Sequence, residues 1–526
     1  MSSGKNFFIT TAIDYPNSRP HIGTAFEKIG ADVQARFQRM QGKNVFFLMG
    51  NDENTIKVAR RAAELNQDPN AYCDEMANQF KEVWRALDIS FDDFIQTSEP
   101  RHHQCCKAFT QKVFDNGHIY KGGYEGWYCE GCEAFKTEKE LDEKKICPSH
   151  KTPAVKRMEP CYFFALSKFR DQLLAFYEQN PDFIQPESRR NEVLALVQTE
   201  LKDVNITRSG QTWGIPLPFD PEFTIYVWFD ALLNYITAVG YGEDEVKFNQ
   251  FWPADLHVIG KDITRFHCAL WPAMCFAAGI APPKKVFGHG FVYAKNEETG
   301  DVQKISKSLG NVVEPMDIIT KFSAEAFRYY FLRECPFPAD GEFSLQRFVD
   351  IYNSDLANNL GNLYSRVVGL IGKNYEGELT NIGASDEPPL FVAENLKSIV
   401  DQVQSLVETC HYSQALQKIW SLILDPANQY AEKTAPWTLV KTDKEKTKIV
   451  LVQLIEAVRI AAVLLKPFLP KLAEKLYTSF DFPAPWVSIN YAEALKPINS
   501  YLSIKILAEL ENGKVKPLLP RIQKPA

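Results

Sequence analysis

Two short segments, about 280 residues apart, contain the side chains best suited to hold a polyphosphate. Pro20-His21-Ile22-Gly23-Thr24 lies where an apolar strand pattern gives way to a helical one, and a helix N-terminus offers N–H donors and positive dipole to phosphate. His21 adds a side-chain donor, and Gly23 lets another group approach the backbone closely. Lys304-Ile305-Ser306-Lys307-Ser308 places two cations beside serines, which suits charge that develops on a transferring phosphate. Taken alone, the first segment is more typical of a helix cap, and the second is equally typical of a solvated charged loop.

A third pattern has the spacing of a metal site. Cys129-Glu130-Gly131-Cys132 is followed, after fourteen residues, by Cys147-Pro148-Ser149-His150. Tetrahedral zinc takes four Cys or His ligands from two such turns. Because all four positions are filled by protein, the pattern predicts one structural Zn²⁺ at Cys129, Cys132, Cys147 and His150 and no catalytic one. The alternative is a set of unligated thiols.

Aromatic residues at helical spacing predict an apolar pocket. Two sets of three residues each share one helix face: Trp228, Ala231 and Tyr235, and Ile263, His267 and Trp271. Two such faces could enclose a slim pocket with aromatic walls, and aromatic edges hold a thioether well. Without other evidence, the same stripes are more typical of core packing.

The elements that must position these groups alternate between strand and helix. Phe7 to Ala12 is a buried strand pattern, and a helix follows from His21 to about Met40. Val45 to Met49 predicts a second strand, after which Asp52 lies at the edge of the sheet. The strand signal returns at Thr224 to Phe229 and at Leu256 to Gly260. This alternation predicts a doubly wound parallel sheet.

Beyond about Asp350 the strand signal disappears and helical patterns fill the chain. Four long helices are predicted: Leu356 to Lys373, Phe391 to Glu408, Ser413 to Lys433 and Lys446 to Leu465. Asp386 to Pro389 reads as a loop, and Lys514 to Ala526 as an extended arm packed on the surface. Gly117 to Pro221 has mixed short segments and predicts an insertion between the halves of the sheet domain.

Length and composition bound the class of protein. A chain of 526 residues predicts two to four domains, and 45% hydrophobic with 24% charged residues is ordinary for a globular enzyme. A net charge of -7 gives no support for a generic nucleic-acid binder, although a local basic surface still allows an RNA partner. The 11 cysteines, the absence of a signal-peptide pattern and the absence of an apolar run of about 20 residues predict reduced thiols in a cytoplasm-like compartment.

The two phosphate segments together resemble the HIGH and KMSKS signatures of class I aminoacyl-tRNA synthetases. His21-Ile22-Gly23-Thr24 departs from the signature at Thr24, where the family usually has a second histidine, and Ile305 replaces Met. The resemblance implies catalysis by His21, Thr24, Lys304 and Lys307, with Mg²⁺ accompanying ATP. It implies ATP contacts at His21, Gly23, Thr24, Gly260, Asp262, Lys304 and Lys307.

Longer segments are similar to methionyl-tRNA synthetases over nearly the whole chain. They are Ala12 to Tyr15, Tyr226 to Tyr235, His257 to Ile263, and Phe266-His267 followed by Trp271-Pro272. The resemblance implies a methionine site lined by Ile13, Tyr15, Asp52, Trp228, Ala231, Tyr235, Ile263 and His267. Asp52 would bind the substrate ammonium, whereas Glu53-Asn54-Thr55 departs from many relatives and leaves the roles of Glu53 and Asn54 open.

The resemblance also implies an α/β architecture in four parts. A Rossmann-like catalytic domain (1–116 and 222–345) receives an inserted connective domain with the zinc knuckle (117–221), and an all-α anticodon-binding domain with the arm follows (346–526). Asn362, Arg366 and Trp437 match family residues that contact the CAU anticodon, with Trp437 stacking on a base. The implied partners are ATP, L-methionine and tRNA(Met), and the chain is expected to be a monomer without membrane contact.

Three alternatives remain at the level of sequence. A leucine, isoleucine or valine enzyme would usually have a large editing domain, whereas the insertion here is only about 105 residues long. A cysteine enzyme would place zinc in the active site. A non-catalytic tRNA-binding relative is disfavoured because Asp52, His21 and Lys307 are all present.

Overall fold

The computed structural model describes residues 5–129, 134–136, 141–148, 151–199, 201–295, 300–304, 313–382, 388–498, 501–508, 510–511 and 514–523. The N-terminal part alternates strand and helix, as predicted. Its elements are β1 (Asn6–Thr11), α1 (Ile22–Met40), β2 (Asn44–Asn51), α2 (Ile56–Glu64), α3 (Pro69–Ala86), β3 (Asp93–Gln96) and α4 (Pro100–Asp115).

The middle of the chain contains shorter elements. They are β4 (Ile119–Cys129), β5 (Ala134–Lys136), β6 (Val155–Phe164), α5 (Arg170–Gln179), β7 (Ile184–Gln185), α6 (Glu187–Thr199), β8 (Val204–Asn205), β9 (Thr207–Ser209), β10 (Phe223–Ile225), α7 (Val227–Ala231), α8 (Asn234–Thr237) and α9 (Glu245–Phe251). Strands β4, β5, β6 and β8 form an antiparallel sheet in the order β5-β4-β6-β8. This sheet lies within the segment predicted as an insertion.

The alternation then resumes before the helical part of the chain. The elements are β11 (Leu256–Gly260), α10 (Trp271–Ala278), β12 (Val286–His289), β13 (Val292–Lys295), β14 (Val302–Lys304), α11 (Pro315–Lys321), α12 (Ala324–Glu334) and β15 (Gly341–Phe343). A 3₁₀ turn at Lys261–Ile263 and a π-helical segment at Phe266–Leu270 connect β11 to α10.

The central sheet has six parallel strands in the order β3-β2-β1-β11-β12-β7. The chain builds outward from β1 through β2 to β3, and later from β11 to β12 on the other side. The direction therefore reverses between β1 and β11, and such a switch point opens a crevice at the carboxyl ends of the strands. The predicted doubly wound parallel sheet is confirmed.

Two sequence expectations about strands need correction. The pattern at Thr224 to Phe229 does not add a strand to the parallel sheet, because β10 pairs antiparallel with β9 and the helix α7 begins at Val227. Conversely, the two-residue strand β7 lies within the predicted insertion and pairs with β12 at the edge of the main sheet. A strand of two residues is too short to leave a period in the sequence.

Helices fill the C-terminal part, as predicted. They are α13 (Leu345–Ile351), α14 (Asn362–Asn374), α15 (Ala393–Glu408), α16 (Tyr412–Ile419), α17 (Asp425–Thr434), α18 (Pro436–Leu439), α19 (Lys444–Leu465), α20 (Pro470–Thr478) and α21 (Tyr491–Ala494). Short strands β16 (Glu378–Thr380), β17 (Ser503–Lys505), β18 (Leu510–Glu511) and β19 (Lys514–Val515) accompany them. Within the described ranges, no helix is both long and apolar enough to span a membrane.

Helix α1 lies between the parallel sheet and the C-terminal helices, and it is buried along almost its whole length. On its far side, Tyr412 donates a hydrogen bond to the Gly30 carbonyl at 2.8 Å. Asp32 forms a fully buried ion pair with Arg328 at 2.7 Å, and Arg328 also donates to the Phe468 carbonyl. The catalytic sheet and the helical part therefore share one continuous core.

The C-terminal arm packs on the surface, as predicted for its described part. The Asn353 side chain donates to the Ile522 carbonyl at 2.9 Å and accepts from the Ile522 N–H at 3.0 Å. Tyr352 donates to the Pro520 carbonyl at 3.0 Å. Asn353 thus pairs with the arm much as a neighbouring strand would, along the π-helical segment Tyr352–Gly361 that precedes α14.

Candidate active site

The N-terminus of α1 is closed by its own residues. His21 is the N-cap: its Nδ1 accepts hydrogen bonds from the N–H groups of Gly23 (3.1 Å) and Thr24 (3.2 Å). The Thr24 hydroxyl accepts from the His21 N–H at 3.0 Å, which completes a reciprocal capping box. The N–H groups of Ile22 and Ala25 donate to the carbonyls of Val313 and His21.

This geometry corrects the expectation that the helix end offers unpaired N–H donors to phosphate. All four first-turn N–H groups already have protein acceptors. The group that approaches Gly23 closely is the His21 ring itself, since a Cβ on Gly23 would lie 3.0 Å from its Cε1 and Nδ1. Because Nδ1 accepts, the proton of a neutral ring is on Nε2, so His21 presents a donor of defined position.

The two predicted loop lysines lie at the limit of what the structure describes. Lys304 ends β14, where its backbone pairs with Tyr293 of β13. Its side chain and residues 305–312, which include Lys307, lie outside the described residues. The backbone of β14 therefore shows where the loop departs, and the positions of both ammonium groups stay a prediction.

A cavity of about 40 Å³ opens at the carboxyl ends of β1, β2 and β11. All eight residues predicted to bind methionine line it: Ile13, Tyr15, Asp52, Trp228, Ala231, Tyr235, Ile263 and His267. Sequence reasoning missed Ala12, Leu232 and Asn234, which line it too. One water-sized sphere needs about 10–15 Å³. The cavity therefore exceeds the space that a single water-sized sphere needs and can admit a small apolar group.

Aromatic rings form the walls of this cavity. The Trp228 and Phe266 rings stack with centroids 4.0 Å apart and planes inclined by 3°. Tyr235 stacks on His257 at 4.2 Å. Trp271, the third member of one predicted face, contacts Tyr235 from behind and does not line the cavity. One turn of the π-helical segment Phe266–Leu270 takes more than four residues, so Trp271 is rotated away from the cavity relative to His267.

The Tyr235 and His267 side chains in the walls satisfy each other by a hydrogen bond and are uncharged. His267 Nδ1 lies 3.2 Å from the Ile263 carbonyl, so Nδ1 carries the proton and donates. His267 Nε2 must then accept, at 2.7 Å, from the Tyr235 hydroxyl. Burial lowers the pKa of His267 to about 4, which keeps the ring neutral near pH 7. An apolar substrate atom therefore meets no charge here.

A second histidine supports the walls from below. The Trp271 indole N–H donates to His257 Nε2 at 3.3 Å, and His257 Nδ1 contacts the Thr10 hydroxyl at 2.7 Å. His257 is fully buried, and that burial lowers its pKa well below the usual value. Thr10 of β1 is therefore hydrogen-bonded to the His257 ring, which stacks on Tyr235.

Two buried carboxyl groups lie at the polar end of the site. Asp52 is 3% exposed and its Oδ1 has no hydrogen-bond partner. Burial, reinforced by Glu53, raises the pKa of Asp52 well above the usual carboxyl range. Asp230, which the sequence reasoning missed, is fully buried with an unpartnered Oδ1, and burial together with Asp52 raises its pKa as well. The sequence did contain one sign of this buried acid, because Asp230 is the only acidic residue in the largely apolar run Val227 to Ile236.

The structure also resolves the two positions that the sequence left open. Glu53 accepts from the Ser98 hydroxyl at 2.5 Å and the Gln96 amide at 3.3 Å, so its side chain is held by the β3–α4 loop. Asn54 donates to the Thr97 carbonyl at 3.0 Å and to Asp230 Oδ2 at 3.2 Å. Of these two, Asn54 is the one connected to the carboxyl pair.

The predicted ribose contacts lie at the end of β11. Gly260 is the last residue of that strand, and Asp262 follows in an exposed 3₁₀ turn. A Cβ on Gly260 would lie 2.9 Å from Asp262 Oδ1, so glycine is what lets the Asp262 carboxylate fold back over the strand end. The two residues are therefore in contact, on the rim of the crevice.

A buried ionic cluster fixes the floor between the two halves of the sheet. Lys28 is fully buried and donates to Glu27 at 2.6 Å and to the Ala12 carbonyl at 2.8 Å, and Asp14 lies 3.1 Å away. Glu27 in turn contacts His289 Nε2 at 2.9 Å. Burial raises the pKa of Asp14 to about 6, whereas Lys28 and His289 outweigh burial and lower that of Glu27. The cluster connects β1, α1 and β12.

Family models match both parts of the chain. A model described as tRNA synthetases class I (M) matches residues 7–154 and 139–368. A model described as the anticodon binding domain of methionyl tRNA ligase matches residues 382–508. Together they cover most of the sequence.

The chain belongs to the methionine–tRNA ligase family. It is therefore an aminoacyl-tRNA ligase whose amino acid is methionine. The methionine–tRNA ligase of Caldanaerobacter subterraneus is 44% identical over 93% of this chain and 76% of its own length. That of Nostoc is 41% identical over 99% and 98%, and the chloroplastic/mitochondrial enzyme of Arabidopsis thaliana is 42% identical over 92% and 78%.

Solved methionine–tRNA ligases share the fold. The Mycobacterium tuberculosis enzyme bound by methionyl-adenylate superposes with a TM-score of 0.86 at 35% identity, over 98% of this chain and all of that one. The apo form of that enzyme gives 0.81 at 34% identity over 99% of both chains. The α/β sheet with its helical C-terminal part is thus the family architecture.

The zinc knuckle is tested only in part by the described residues. Cys129 ends β4, and its backbone pairs with that of Ala134 at the start of β5. Cys147 is fully buried beside Leu141 and Ala154, and its backbone N–H donates to the Thr152 carbonyl at 2.9 Å. The side chain of Cys129 and residues Cys132 and His150 lie outside the described residues. Within the described ranges, no group of three His, Cys, Asp or Glu side chains could hold a metal.

Two of the three predicted anticodon residues contact each other in the methionine–tRNA ligase helical domain. The Arg366 guanidinium lies 5.2 Å from the centroid of the Trp437 ring and pairs with Glu432 at 3.3 Å. Trp437 is 38% exposed, at a turn that Ala435 starts with a positive φ of 41°. Asn362 begins α14, one helical turn before Arg366. The three residues lie on one side of this domain's helices α14 and α18.

Proposed function

We propose that the cavity between β1, β2 and β11 holds the methionine side chain and that Asp52 binds the methionine ammonium. The observation that supports this most is the convergence of eight residues from four separate chain segments on one cavity of about 40 Å³. The unpartnered Asp52 Oδ1 supplies an acceptor at its polar end. The neutral Tyr235–His267 pair suits a thioether and disfavours a charged side chain.

The reaction needs positioning and charge stabilisation and no protein nucleophile. A carboxylate oxygen of methionine attacks the α-phosphorus of ATP, and the bond to pyrophosphate breaks. A ribose hydroxyl of the terminal adenosine of tRNA(Met) then attacks the methionyl carbonyl, and AMP leaves. His21 would donate from Nε2 to the phosphate, and Gly260 with Asp262 would hold the ribose. The Mg²⁺ that accompanies ATP supplies further positive charge to the departing pyrophosphate.

Thr24 has a supporting role in this proposal. Its hydroxyl is engaged with the His21 N–H and donates to the His21 carbonyl at 2.7 Å. Thr24 therefore fixes the histidine that would contact ATP and does so without contacting phosphate itself. This accounts for a threonine in the place of the second histidine of the signature.

The experiment that tests the pocket is pyrophosphate exchange into ATP with each of the twenty amino acids and no tRNA. We expect exchange with methionine alone, and weakly with homocysteine. Exchange with another amino acid would contradict the pocket assignment, and exchange with none would contradict the assignment of the ATP site.

We propose that Lys304 and Lys307 stabilise the leaving pyrophosphate. Substituting Lys307 by Ala should slow methionine-dependent exchange about 100-fold or more, because a charged donor to the transition state is lost. The exposed Lys321 of α11 offers a control, since Lys321→Ala removes an equal charge nearby. An unchanged exchange rate in Lys307→Ala would remove the lysine from the mechanism.

We also propose one structural Zn²⁺ held by Cys129, Cys132, Cys147 and His150. The spacing of the four residues and their thiol and imidazole donors suit tetrahedral zinc, and the described backbone contacts at Cys129 and Cys147 support the proposal. Metal analysis of the purified protein should give one zinc per chain, and Cys147→Ser should lose it. Zinc retained by Cys147→Ser, while Cys161→Ser also retains it, would contradict the ligand set.

For the tRNA, Trp437 would stack on an anticodon base while Asn362 and Arg366 contact base edges. The exposed Trp437 ring and the adjacent Arg366 guanidinium support this assignment. We expect the chain to act as a monomer in a cytoplasm-like compartment, and sedimentation at micromolar concentration would test the monomer.

A further inference from the structure

Asp230 and Asp52 form a pair of buried acids, of which only Asp52 has a role in the proposed function. Each has one buried oxygen, Oδ1, without a hydrogen-bond partner. The two groups influence each other electrostatically, and Asn54 ties Asp230 Oδ2 to the Thr97 carbonyl. Asp230 lies in α7 between Trp228 and Ala231, both of which line the cavity. Asp52 therefore lines the cavity itself, whereas Asp230 belongs to the helix that forms part of the cavity wall.

The surroundings of the pair contain acids and neutral groups. From the β1 and β2 loops, Tyr15 and Glu53 face it; from α4, His102 and Cys106; and from the start of α7, Tyr226. His102 is neutral near pH 7, since burial lowers its pKa to about 3. Two cations stack on the outer rings: Lys57 lies 5.8 Å from the centroid of the Tyr15 ring, and Arg208 lies 3.8 Å from that of Tyr226.

Within the described residues, no Lys or Arg forms an ion pair with Asp52 or Asp230. Two adjacent carboxylates in a low-dielectric site cannot both ionise without a compensating cation, so the pair retains a proton. The unpartnered oxygens mark where a donor belongs, because a buried polar atom normally has a partner. A primary ammonium has three N–H donors and a positive charge, and can satisfy both carboxylates.

We propose that Asp230 is a positioning residue of the ammonium site, and that the Asp52–Asp230 pair holds a proton in the empty pocket that methionine displaces on binding. This rests on the proposed function, because it takes the amino acid to bind with its ammonium at Asp52. The amino acid keeps all three ammonium protons and no covalent bond changes. The displaced carboxyl proton goes to solvent, and the site exchanges a proton for a cation of the same charge.

Calorimetric titration of methionine in two buffers of different ionisation enthalpy measures the protons released on binding. For the wild-type protein we expect release approaching one proton per methionine near pH 7. Affinity should rise with pH while the pair titrates, at pH values above the ordinary carboxyl range. The reason is that binding to a protonated pair must first expel the proton.

Asp230→Asn keeps the shape and removes the charge. We expect proton release to fall at least threefold, the methionine Kd to rise about tenfold, and the maximal rate of pyrophosphate exchange to stay within about threefold. Glu325→Gln is the matched control: it also neutralises a buried carboxyl of raised pKa, but one that accepts from the Leu472 N–H far from the pocket. That variant should release protons as the wild type does.

Asn54→Ala provides a second variant should Asp230→Asn fold poorly. Asn54 lowers the pKa of Asp230, so removing its amide should move the pH dependence of methionine affinity upward, opposite to the flattening expected for Asp230→Asn. Unchanged proton release in Asp230→Asn, or none in the wild type, would overturn the proposal while leaving the methionine site standing. A wild-type protein that binds no methionine would instead overturn the proposed function.

Discussion

A single hydroxyl proton defines the polarity of the methionine pocket. The Tyr235 hydroxyl donates to His267 Nε2, and this contact orients both side chains at the end of the cavity. The proton is committed to the ring, so the hydroxyl presents only lone pairs to the substrate. A donor at the corresponding position of a competing amino acid would find an acceptor there, whereas an acceptor or an anion would be repelled.

The first prediction concerns this contact. Tyr235→Phe leaves a buried histidine nitrogen without a donor, which costs about 1–3 kcal/mol. Since the ring is then free to turn, we expect the KM for methionine in pyrophosphate exchange to rise about tenfold or more, with the KM for ATP unchanged.

Tyr177→Phe is the matched control for that prediction. It removes another buried hydroxyl, which donates to the Cys268 carbonyl at 2.6 Å beside the same π-helical segment but does not line the pocket. The control should lower stability and leave the KM for methionine unchanged. Equal KM effects in both variants would mean that packing, and not the histidine contact, sets the affinity.

Site residues could be predicted from the sequence where they stand in segments similar to a known family. Seven of the eight residues proposed to bind methionine stand in long segments similar to a known family, and Asp52 was assigned from its place just after the second strand together with that resemblance. Asp230 stands in one of those same segments, yet spacing alone does not separate a buried acid from a solvated one. Its burial depends on Asn54 and Asp52, which come from a loop about 180 residues earlier.

At the scale of elements, the capping box of α1 connects stability to catalysis. The second prediction is that Thr24→Ala lowers the free energy of unfolding by about 1 kcal/mol, as for other N-cap contacts. The same change loosens the His21 backbone, so we expect the exchange rate to fall about tenfold. Urea unfolding and pyrophosphate exchange on the same preparation measure both effects.

Ser323→Ala provides the comparison, because Ser323 is the N-cap of α12 and accepts from the Ala326 N–H at 3.1 Å. It should lose a similar amount of stability and retain its exchange rate. If Thr24→Ala loses stability and keeps full activity, the cap is only structural.

Element boundaries show what periodicity can and cannot predict. The strands and helices of residues 6–51 follow their apolar patterns closely, because each element is long and buried on a defined face. The pocket helices do not: Trp228, Ala231 and Tyr235 belong to two short helices, and Phe266–Leu270 is π-helical. Tertiary packing around the cavity overrides the regular spacing from which those faces were inferred.

At the scale of the whole molecule, the proposed sites of amino-acid activation and tRNA recognition lie in separate parts of the chain that share one hydrophobic core. The third prediction is that Trp437→Ala raises the KM for tRNA(Met) about tenfold or more, because stacking on one base is worth about 1–3 kcal/mol. Methionine-dependent pyrophosphate exchange without tRNA should not change. Aminoacylation and exchange assays separate the two effects.

Trp486→Ala tests whether loss of any partly exposed tryptophan has this effect. Trp486 packs on Tyr477 at the opposite side of the helical part. We expect its substitution to leave the KM for tRNA unchanged. A similar KM rise in both variants would point to general destabilisation of the helical domain.

The position of α1 has a consequence for how the protein is made on the ribosome. The helix is synthesised among the first 40 residues, yet Tyr412, whose hydroxyl bonds to Gly30, emerges 382 residues later. At a synthesis rate of about 5–20 residues per second, the residues that cover the far side of α1 are made roughly 20–80 s after the helix itself. Strand β1 likewise waits for β11. The catalytic half therefore spends most of its synthesis as an incomplete sheet with an apolar helix face exposed, which makes the nascent chain a substrate for chaperones that bind such faces.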